Sequence, residues 1–157
     1  MMNLKALPPT PFQPIPLPIV IVEDSPPWQA AFKTLLSLYP EKFTLLGIAE
    51  SKAETIRLLK TAPYHPHEIT VILDWELPEG ETGLQVFETL ATKVGINASQ
   101  VVLVSGTPPH QLPVLPFEQI PKPKAGTVLI PALLQRWEAF QQNGIGQQAT
   151  ASLLQGY

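Results

Sequence analysis

The composition of the chain predicts one domain and excludes several classes of function. Its 157 residues carry a net charge of -3 and no cysteine, so we expect a core of ordinary size without disulfides or thiolate metal sites. The acidic balance argues against a nucleic-acid partner. No apolar run approaches the roughly 18 residues of a membrane span, and the amino terminus does not resemble a secretory signal. These observations together favour a cytoplasmic protein that does not enter a membrane.

Prolines dominate the amino-terminal residues 1–18, which contain six of them. Each proline fixes its φ angle and lacks a backbone donor, so helix and central strand are both disfavoured there. We therefore divide the chain into an extended arm at 1–18, a folded domain at 19–142 and a tail at 143–157. The arm is expected to be poorly ordered, with a polyproline ligand for a partner as the alternative.

Beyond residue 18 the pattern alternates between short apolar runs and helical periodicity. Gly95 suits the end of a helix, and Pro131 is expected in the first turn of the last helix or at its true start. Such alternation predicts βαβ units, a parallel sheet and helices on both faces, which is the α/β class. The predicted strands are 19–22, 43–49, 69–73, 101–104 and 117–121, and the predicted helices follow Ser25 and Ser51 and then cover 83–94 and 127–142.

Polar residues stand where four of these predicted strands end. Glu23 and Asp24 follow the first strand, Asp74 the third, Ser105 the fourth and Lys122 the fifth. Because ligands of open α/β sheets bind outside the carboxyl ends of the strands, we expect these side chains to meet. Three close carboxylates repel one another unless a hard divalent cation lies between them. The pattern therefore predicts a site that binds such a cation and transfers a phosphoryl group.

The sequences around these residues resemble the receiver domains of two-component response regulators. The resemblance covers roughly residues 19–140 and implies a flavodoxin-like, doubly wound sheet of five parallel strands in the order 2-1-3-4-5. It extends to Gly83, which lies downstream of the motif that contains Asp74. The matching motifs are Ile-Val-Glu-Asp-Ser, Ile-Leu-Asp-Trp-Glu-Leu-Pro, Val-Leu-Val-Ser-Gly-Thr and Ile-Pro-Lys-Pro.

The resemblance implies a role for each residue at the strand ends. Asp74 would be the phosphoacceptor, and Glu23 and Asp24 would be the acidic pair that holds Mg²⁺ together with it. Ser105 would be the hydroxyl that responds to phosphorylation, and Lys122 would be the lysine that precedes a proline in the family. Trp28 and Trp75 lie just past strand ends, where we expect them to border the site.

The implied activity is phosphoryl transfer by a single-domain response regulator. A phosphohistidine on a sensor histidine kinase or phosphotransfer protein would donate the group, and water would later hydrolyse the acyl phosphate. Catalysis of this kind is mostly positioning and charge neutralisation, so the protein would be a self-catalysed phosphoacceptor rather than a turnover enzyme. The backbone carbonyl of Glu76 is the expected third protein ligand of the metal. No further domain is expected, so output would pass through another protein, which the sequence does not identify.

The sequence departs from the family pattern between the fourth and fifth strands. Receivers place their fourth helix there, whereas residues 106–116 contain four prolines, each of which disfavours helix at and before its position. We expect an extended loop or at most one turn. The prolines are Pro108, Pro109, Pro113 and Pro116.

A second departure concerns the aromatic residue that receivers usually carry three positions before the lysine. Gln119 occupies that position, and Phe117 lies two residues earlier on the same face of the strand. Both departures fall on the face that receivers use for homodimers and partner binding. They favour an alternative, an adaptor with the receiver fold that works without phosphorylation. A third interpretation, a phosphatase of the haloacid-dehalogenase type, requires a second aspartate where this chain has Glu76.

Overall fold

A parallel five-stranded sheet with helices on both faces organises the protein. The computed structural model describes residues 14–155, with side chains through residue 143 apart from Glu79. The strand order is β2-β1-β3-β4-β5, which confirms the predicted flavodoxin-like topology. The strands are β1 Leu17–Val22, β2 Phe43–Ala49, β3 Thr70–Leu73, β4 Val101–Ser105 and β5 Glu118–Pro121, and the helices are α1 Pro26–Ser37, α2 Lys52–Thr61, α3 Gly83–Val94 and α4 Ala125–Gln155.

The sheet separates two apolar cores, and its central strands contribute to both. Ile21 of β1 belongs to the core on the side of α1 and α4, together with Phe32 and Leu129. The next residue, Val22, belongs to the opposite core together with Leu90 of α3. This arrangement explains why β1 is apolar along its whole length, because a strand covered on both faces has no solvent side.

Two of the expected helix boundaries form as the sequence predicts, and one forms differently. The Ser51 hydroxyl accepts a hydrogen bond from the Glu54 N–H at the start of α2, and Gly95 ends α3 with a left-handed φ of 81°. Ser25 precedes α1 but makes no side-chain cap. It still occupies the N-cap position, since its carbonyl accepts from the Gln29 N–H at 2.9 Å, while its own N–H donates to Glu23 Oε1 at 3.1 Å.

The first strand begins two residues earlier than predicted and includes Pro18. The N–H of Leu17 donates to Lys42 O on the β2 side. Since successive residues of a parallel strand bond to opposite neighbours, Pro18 faces β3, whose pairing starts only at Ile19 with Thr70. The missing donor of Pro18 therefore removes no sheet hydrogen bond. Residues 1–13 of the predicted arm lie outside the described residues.

The last helix is longer at both ends than predicted, and the expectation for Pro131 is wrong. The helix begins at Ala125 and places Pro131 in its interior. An interior proline costs about 3 kcal/mol, but Leu129, Ile130 and Leu133 of the same turns are buried. Each buried side chain of this kind contributes about 1.5–3 kcal/mol, which outweighs the cost of the proline.

Gln141 joins this helix to the chain that precedes β1. Its amide oxygen accepts from the Ile15 N–H at 2.7 Å, and its amide nitrogen donates to Ile15 O at 2.6 Å. The side chain is 7% exposed, so both bonds are shielded from water. These two bonds provide partners for both the N–H and the carbonyl of Ile15, as a neighbouring strand would.

The connection between β4 and β5 contains one short turn in place of a helix. Within the described residues 106–117, the regular structure is limited to the 3-10 turn Pro109–Gln111. Leu112 and Leu115 pack against the core on the α2 and α3 side. The connection thus covers the end of the sheet with an extended, proline-rich segment, as the sequence predicts.

Candidate functional site

Three carboxylates from two neighbouring strands meet at one edge of the sheet. Glu23 and Asp24 follow β1, Asp74 follows β3, and one carboxylate oxygen of each lies within 4.8 Å of the others. Glu23 and Asp74 are 1% and 7% exposed, whereas Asp24 is open to solvent. The structure therefore brings together the acidic residues that the strand ends predict.

Lys122 reaches this cluster from the end of β5. Its ammonium nitrogen lies 3.0 Å from Glu23 Oε2 and 3.5 Å from Asp74 Oδ1. The contact with Glu23 is an ion pair without hydrogen-bond geometry, and this buried oxygen has no hydrogen-bond donor among the described residues. One positive side chain thus faces three negative ones, and the cluster keeps a net negative charge.

The environment of Asp74 disfavours its charged form. Burial, and next the negative charge of Glu23, raise the pKa of the Asp74 carboxyl to about 6. The Lys122 ammonium and the Trp75 N–H oppose this increase in pKa, and the N–H donates to Asp74 Oδ1 at 2.8 Å. Repulsion from a neighbouring carboxylate in a partly dry site is the effect that a bound cation would relieve.

Gly83 allows the loop after β3 to fold closely against the site. Its N–H donates to Trp75 O at 2.7 Å. A Cβ at this position would lie 2.8 Å from Asp74 O and 2.9 Å from Leu103 Cδ1, which real side chains do not tolerate. Glycine is required here because the backbone of α3 starts directly beside the backbone that presents Asp74.

Ser105 and Thr107 form the opposite wall of the site. Ser105 is 3% exposed, and its hydroxyl oxygen accepts from the Thr107 N–H at 3.0 Å. The Thr107 hydroxyl in turn donates to Glu76 Oε1 at 3.5 Å. Together with Asp74 and Lys122 these residues line a cleft of about 380 Å³. Thr107 belongs to the Ser-Gly-Thr motif, which alone does not indicate a role for its side chain.

Glu76 pairs with Thr82 across the loop in an isolated antiparallel bridge. The backbone bonds that hold this bridge run from the Leu77 N–H to Glu81 O and from the Gly83 N–H to Trp75 O. Neither of these bonds uses the carbonyl of Glu76. Its role as a metal ligand stays a prediction.

The position of the usual aromatic residue is filled by a different kind of side chain. Gln119 is half-buried and borders a narrow apolar void together with Ser105 and Thr107. Phe117 is buried in the core on the α2 and α3 side, with its ring 5.2 Å from that of Phe87. It therefore does not substitute beside Ser105 for the aromatic residue that Gln119 replaces.

The donor set of the cluster fits a hard divalent cation. Carboxylate oxygens are the ligands that Mg²⁺ prefers, usually with several waters kept in its shell. Glu23 Oε2 is buried and accepts no hydrogen bond among the described residues, with the Lys122 ammonium 3.0 Å away, so it keeps lone pairs that a cation could use. Among the described residues, Glu23, Asp24 and Asp74 form the group of side chains whose ligand atoms lie close enough together to hold an ion.

Solved structures with a similar fold include response-regulator receiver domains. A CheY-like receiver domain from Methylobacillus flagellatus matches with a TM-score of 0.62 and 24% identity, over 78% of this chain and 99% of that one. The chain has the receiver-domain fold. The receiver domain of sensor histidine kinase PA1611 from Pseudomonas aeruginosa, with a magnesium ion coordinated in its active-site cleft, matches with a TM-score of 0.59 and 17% identity. That alignment covers 78% of this chain and 98% of the other.

Response regulator PhyR from Brucella abortus shares the receiver fold over 89% of this chain, with a TM-score of 0.56 and 17% identity. The chain spans about half of that protein, 53% of its length. No family model and no curated protein matches the sequence. In the described residues, no helix combines the length and apolar character needed to cross a membrane.

Proposed function

We propose that the protein is a response regulator that accepts a phosphoryl group from a phosphohistidine onto Asp74, with Mg²⁺. The observation that carries the proposal is the cluster of Glu23, Asp24 and Asp74, of which Glu23 and Asp74 are buried, with Lys122 beside it. Its position at the carboxyl edge of a receiver-type sheet supports the same role. The signal would pass to another protein through a change in binding affinity.

The reaction is an in-line displacement at phosphorus. A carboxylate oxygen of Asp74 forms a bond to phosphorus while the bond to the imidazole nitrogen of the donor breaks. The electron pair of that bond stays on the nitrogen, which solvent protonates, and the product is an acyl phosphate on Asp74. Attack of water on the acyl phosphate later releases inorganic phosphate and restores the carboxylate.

The side chains around Asp74 contribute position and charge. When bound, Mg²⁺ would neutralise the carboxylates and bind phosphoryl oxygens. Glu23, Asp24 and Asp74 would hold it, with the Glu76 carbonyl as a further ligand, and Lys122 would supply the third positive charge against three negative ones. Phosphorylation replaces one negative charge with about two, and the surplus would need donors, which the Ser105 hydroxyl and backbone N–H groups could supply.

The partners follow from this chemistry. The donor would be a sensor histidine kinase or a phosphotransfer protein in the cytoplasm, and the receiver of the signal is a protein that the sequence does not identify. A homodimer is a further assembly that the family's output face allows. One observation favours the second candidate, an adaptor that works without phosphorylation: Gln119 and the helix-free connection replace the parts that usually transmit the signal.

Phosphoramidate with Mg²⁺ tests the proposal directly. Intact-mass analysis should show one added phosphoryl group on the wild type and none on Asp74→Asn. Glu88→Gln, an equally isosteric change at an exposed position of α3, should be labelled like the wild type. Absence of label on the wild type, or label on Asp74→Asn, would exclude the phosphoacceptor role. Label without any change in partner binding would favour the adaptor.

A further inference from the structure

The ring of Trp28 lies against the side chain of Lys122. The ammonium nitrogen is 5.1 Å from the centre of the ring, within the distance at which an aromatic face attracts a cation. The Lys122 side chain is 12% exposed to solvent. Because water is largely excluded, the attraction is stronger than at an open surface.

A contact with the core restricts the position of the Trp28 ring. The ring packs on Phe32 at 5.6 Å with a tilt of 37°, and Phe32 is 1% exposed in the core under α1. Pro26 and Pro27 begin this helix, and their fixed φ angles restrain the turn that carries the ring. The contact with Phe32 and the start of the helix therefore restrict where the Trp28 ring can lie.

The other two partners of Lys122 are acidic, and both are expected to change during phosphoryl transfer. Glu23 and Asp74 would share their charge with Mg²⁺, and Asp74 loses its carboxylate charge when it becomes an acyl phosphate. A third carboxylate in place of Trp28 would hold the ammonium equally well but would add negative charge to the cluster. A neutral aromatic face attracts the ammonium without that addition.

We propose that Trp28 is a positioning residue that holds the Lys122 ammonium at the phosphoryl site while its ionic partners change. The inference rests on the proposed function and adds a residue of α1 to that site. Trp28 acts through Lys122 and does not itself touch the transferred group.

Two substitutions at residue 28 separate the aromatic face from the volume of the side chain. Trp28→Leu removes the face, and we expect the rate constant for labelling by phosphoramidate at saturating Mg²⁺ to fall about 5- to 30-fold. Trp28→Phe keeps a face and should recover most of the rate. Equal rates for Trp28→Leu and the wild type, or no recovery with Trp28→Phe, would overturn the proposal.

The chain offers a matched control at its opposite end. The ammonium of Lys42 lies 5.0 Å from the ring centre of Trp137, away from the acidic cluster. Trp137→Leu removes the same kind of interaction and should leave the labelling rate unchanged. A comparable fall with Trp137→Leu would show that loss of stability, rather than the position of Lys122, slows the reaction, and the proposal would be wrong.

A double substitution tests whether Trp28 acts through Lys122. In a Lys122→Met background, adding Trp28→Leu should cause no further loss of rate. If the same 5- to 30-fold loss appears in that background, the ring acts by another route. A wild type that accepts no phosphoryl group contradicts the proposed function itself, whereas a labelled wild type with unaffected Trp28→Leu contradicts only the role of Trp28.

Discussion

Two regions at the same edge of the sheet differ in how firmly they are built. The acidic rim, formed by Glu23, Asp24 and Asp74, is held by buried strand ends and by Lys122. The connection, residues 106–117, contains one short turn. Its residue Val114 is 99% exposed to solvent. The acidic rim brings together the carboxylates and the lysine on which the proposed phosphoryl transfer depends, whereas the connection contains one short turn where receivers place a helix. The departures of this chain from the receiver pattern therefore lie outside the acidic rim.

The largest effect is expected where the rim is packed most tightly. Gly83→Ala places a methyl group 2.8 Å from Asp74 O, so the loop must shift, at a cost of about 2–4 kcal/mol in the free energy of unfolding. Urea denaturation measures this change. Gly126→Ala is the control, because nothing lies within 4 Å of its added methyl, and it should be neutral or stabilising by up to about 1 kcal/mol. Equal effects of the two variants would contradict the packing argument.

The second effect concerns the charge of Asp74. Its pKa is about 6, against an ordinary value of 3.8, so its contribution to stability is complete below pH 3.8 and is lost as the pH rises through about 6. Without divalent cations, Asp74→Asn should therefore be more stable than the wild type at pH 7.5 by about 1–3 kcal/mol.

Urea denaturation at pH 4 and pH 7.5, with and without Mg²⁺, measures the advantage of Asp74→Asn. The advantage should shrink at pH 4, where the wild-type carboxyl is protonated. Mg²⁺ should also reduce it, since the cation stabilises the wild type more. An advantage independent of both pH and Mg²⁺ would show that the charge of Asp74 is not its cause.

A smaller effect is expected where the rim meets the connection. Ser105→Ala leaves the Thr107 N–H without its acceptor at 3.0 Å, which should cost about 1 kcal/mol. Labelling of Asp74 should persist, because the carboxylates and Lys122 are untouched. Ser37→Ala is the control, because this exposed serine donates to Thr34 O. It should change the free energy of unfolding by less than Ser105→Ala does. Loss of labelling in Ser105→Ala would mean that the two regions are not separable.

The smallest effect is expected at the outer part of the connection. Val114→Ser should change the free energy of unfolding by at most about 0.5 kcal/mol, since the side chain is almost fully exposed. Leu103→Ala, at a fully buried position of β4, should cost about 2–5 kcal/mol in the same denaturation experiment. A large cost for Val114→Ser would place that residue in a contact that the structure does not show.

The sequence predicts those features that depend on local patterns. Alternation predicts the parallel sheet, and the resemblance to receiver domains implies its strand order. The meeting of Glu23, Asp24, Asp74 and Lys122 follows from their positions at strand ends. The Ser51 hydroxyl caps the start of α2, and Gly95 ends α3 with a left-handed φ angle, as these residue types indicate. At these two helix ends, a residue and its immediate neighbours contain the necessary information.

Features that depend on packing between distant segments could not be predicted. Pro131 lies inside α4 because the surrounding turns bury apolar side chains, which a local propensity does not reveal. The sequence places Trp28 near the site but cannot show that its ring meets Lys122 rather than solvent. Ser25 takes the N-cap position as its residue type indicates, but the sequence does not show that its N–H also donates to the buried carboxylate of Glu23.

The paired hydrogen bonds between Gln141 and Ile15 give the fold a mechanical link. Ile15 lies two residues before β1, the strand whose other end presents Glu23 and Asp24. The two bonds therefore anchor α4 at the end of β1 that lies away from the carboxylates. An apolar residue in place of Gln141 would leave both backbone groups of Ile15 without these partners.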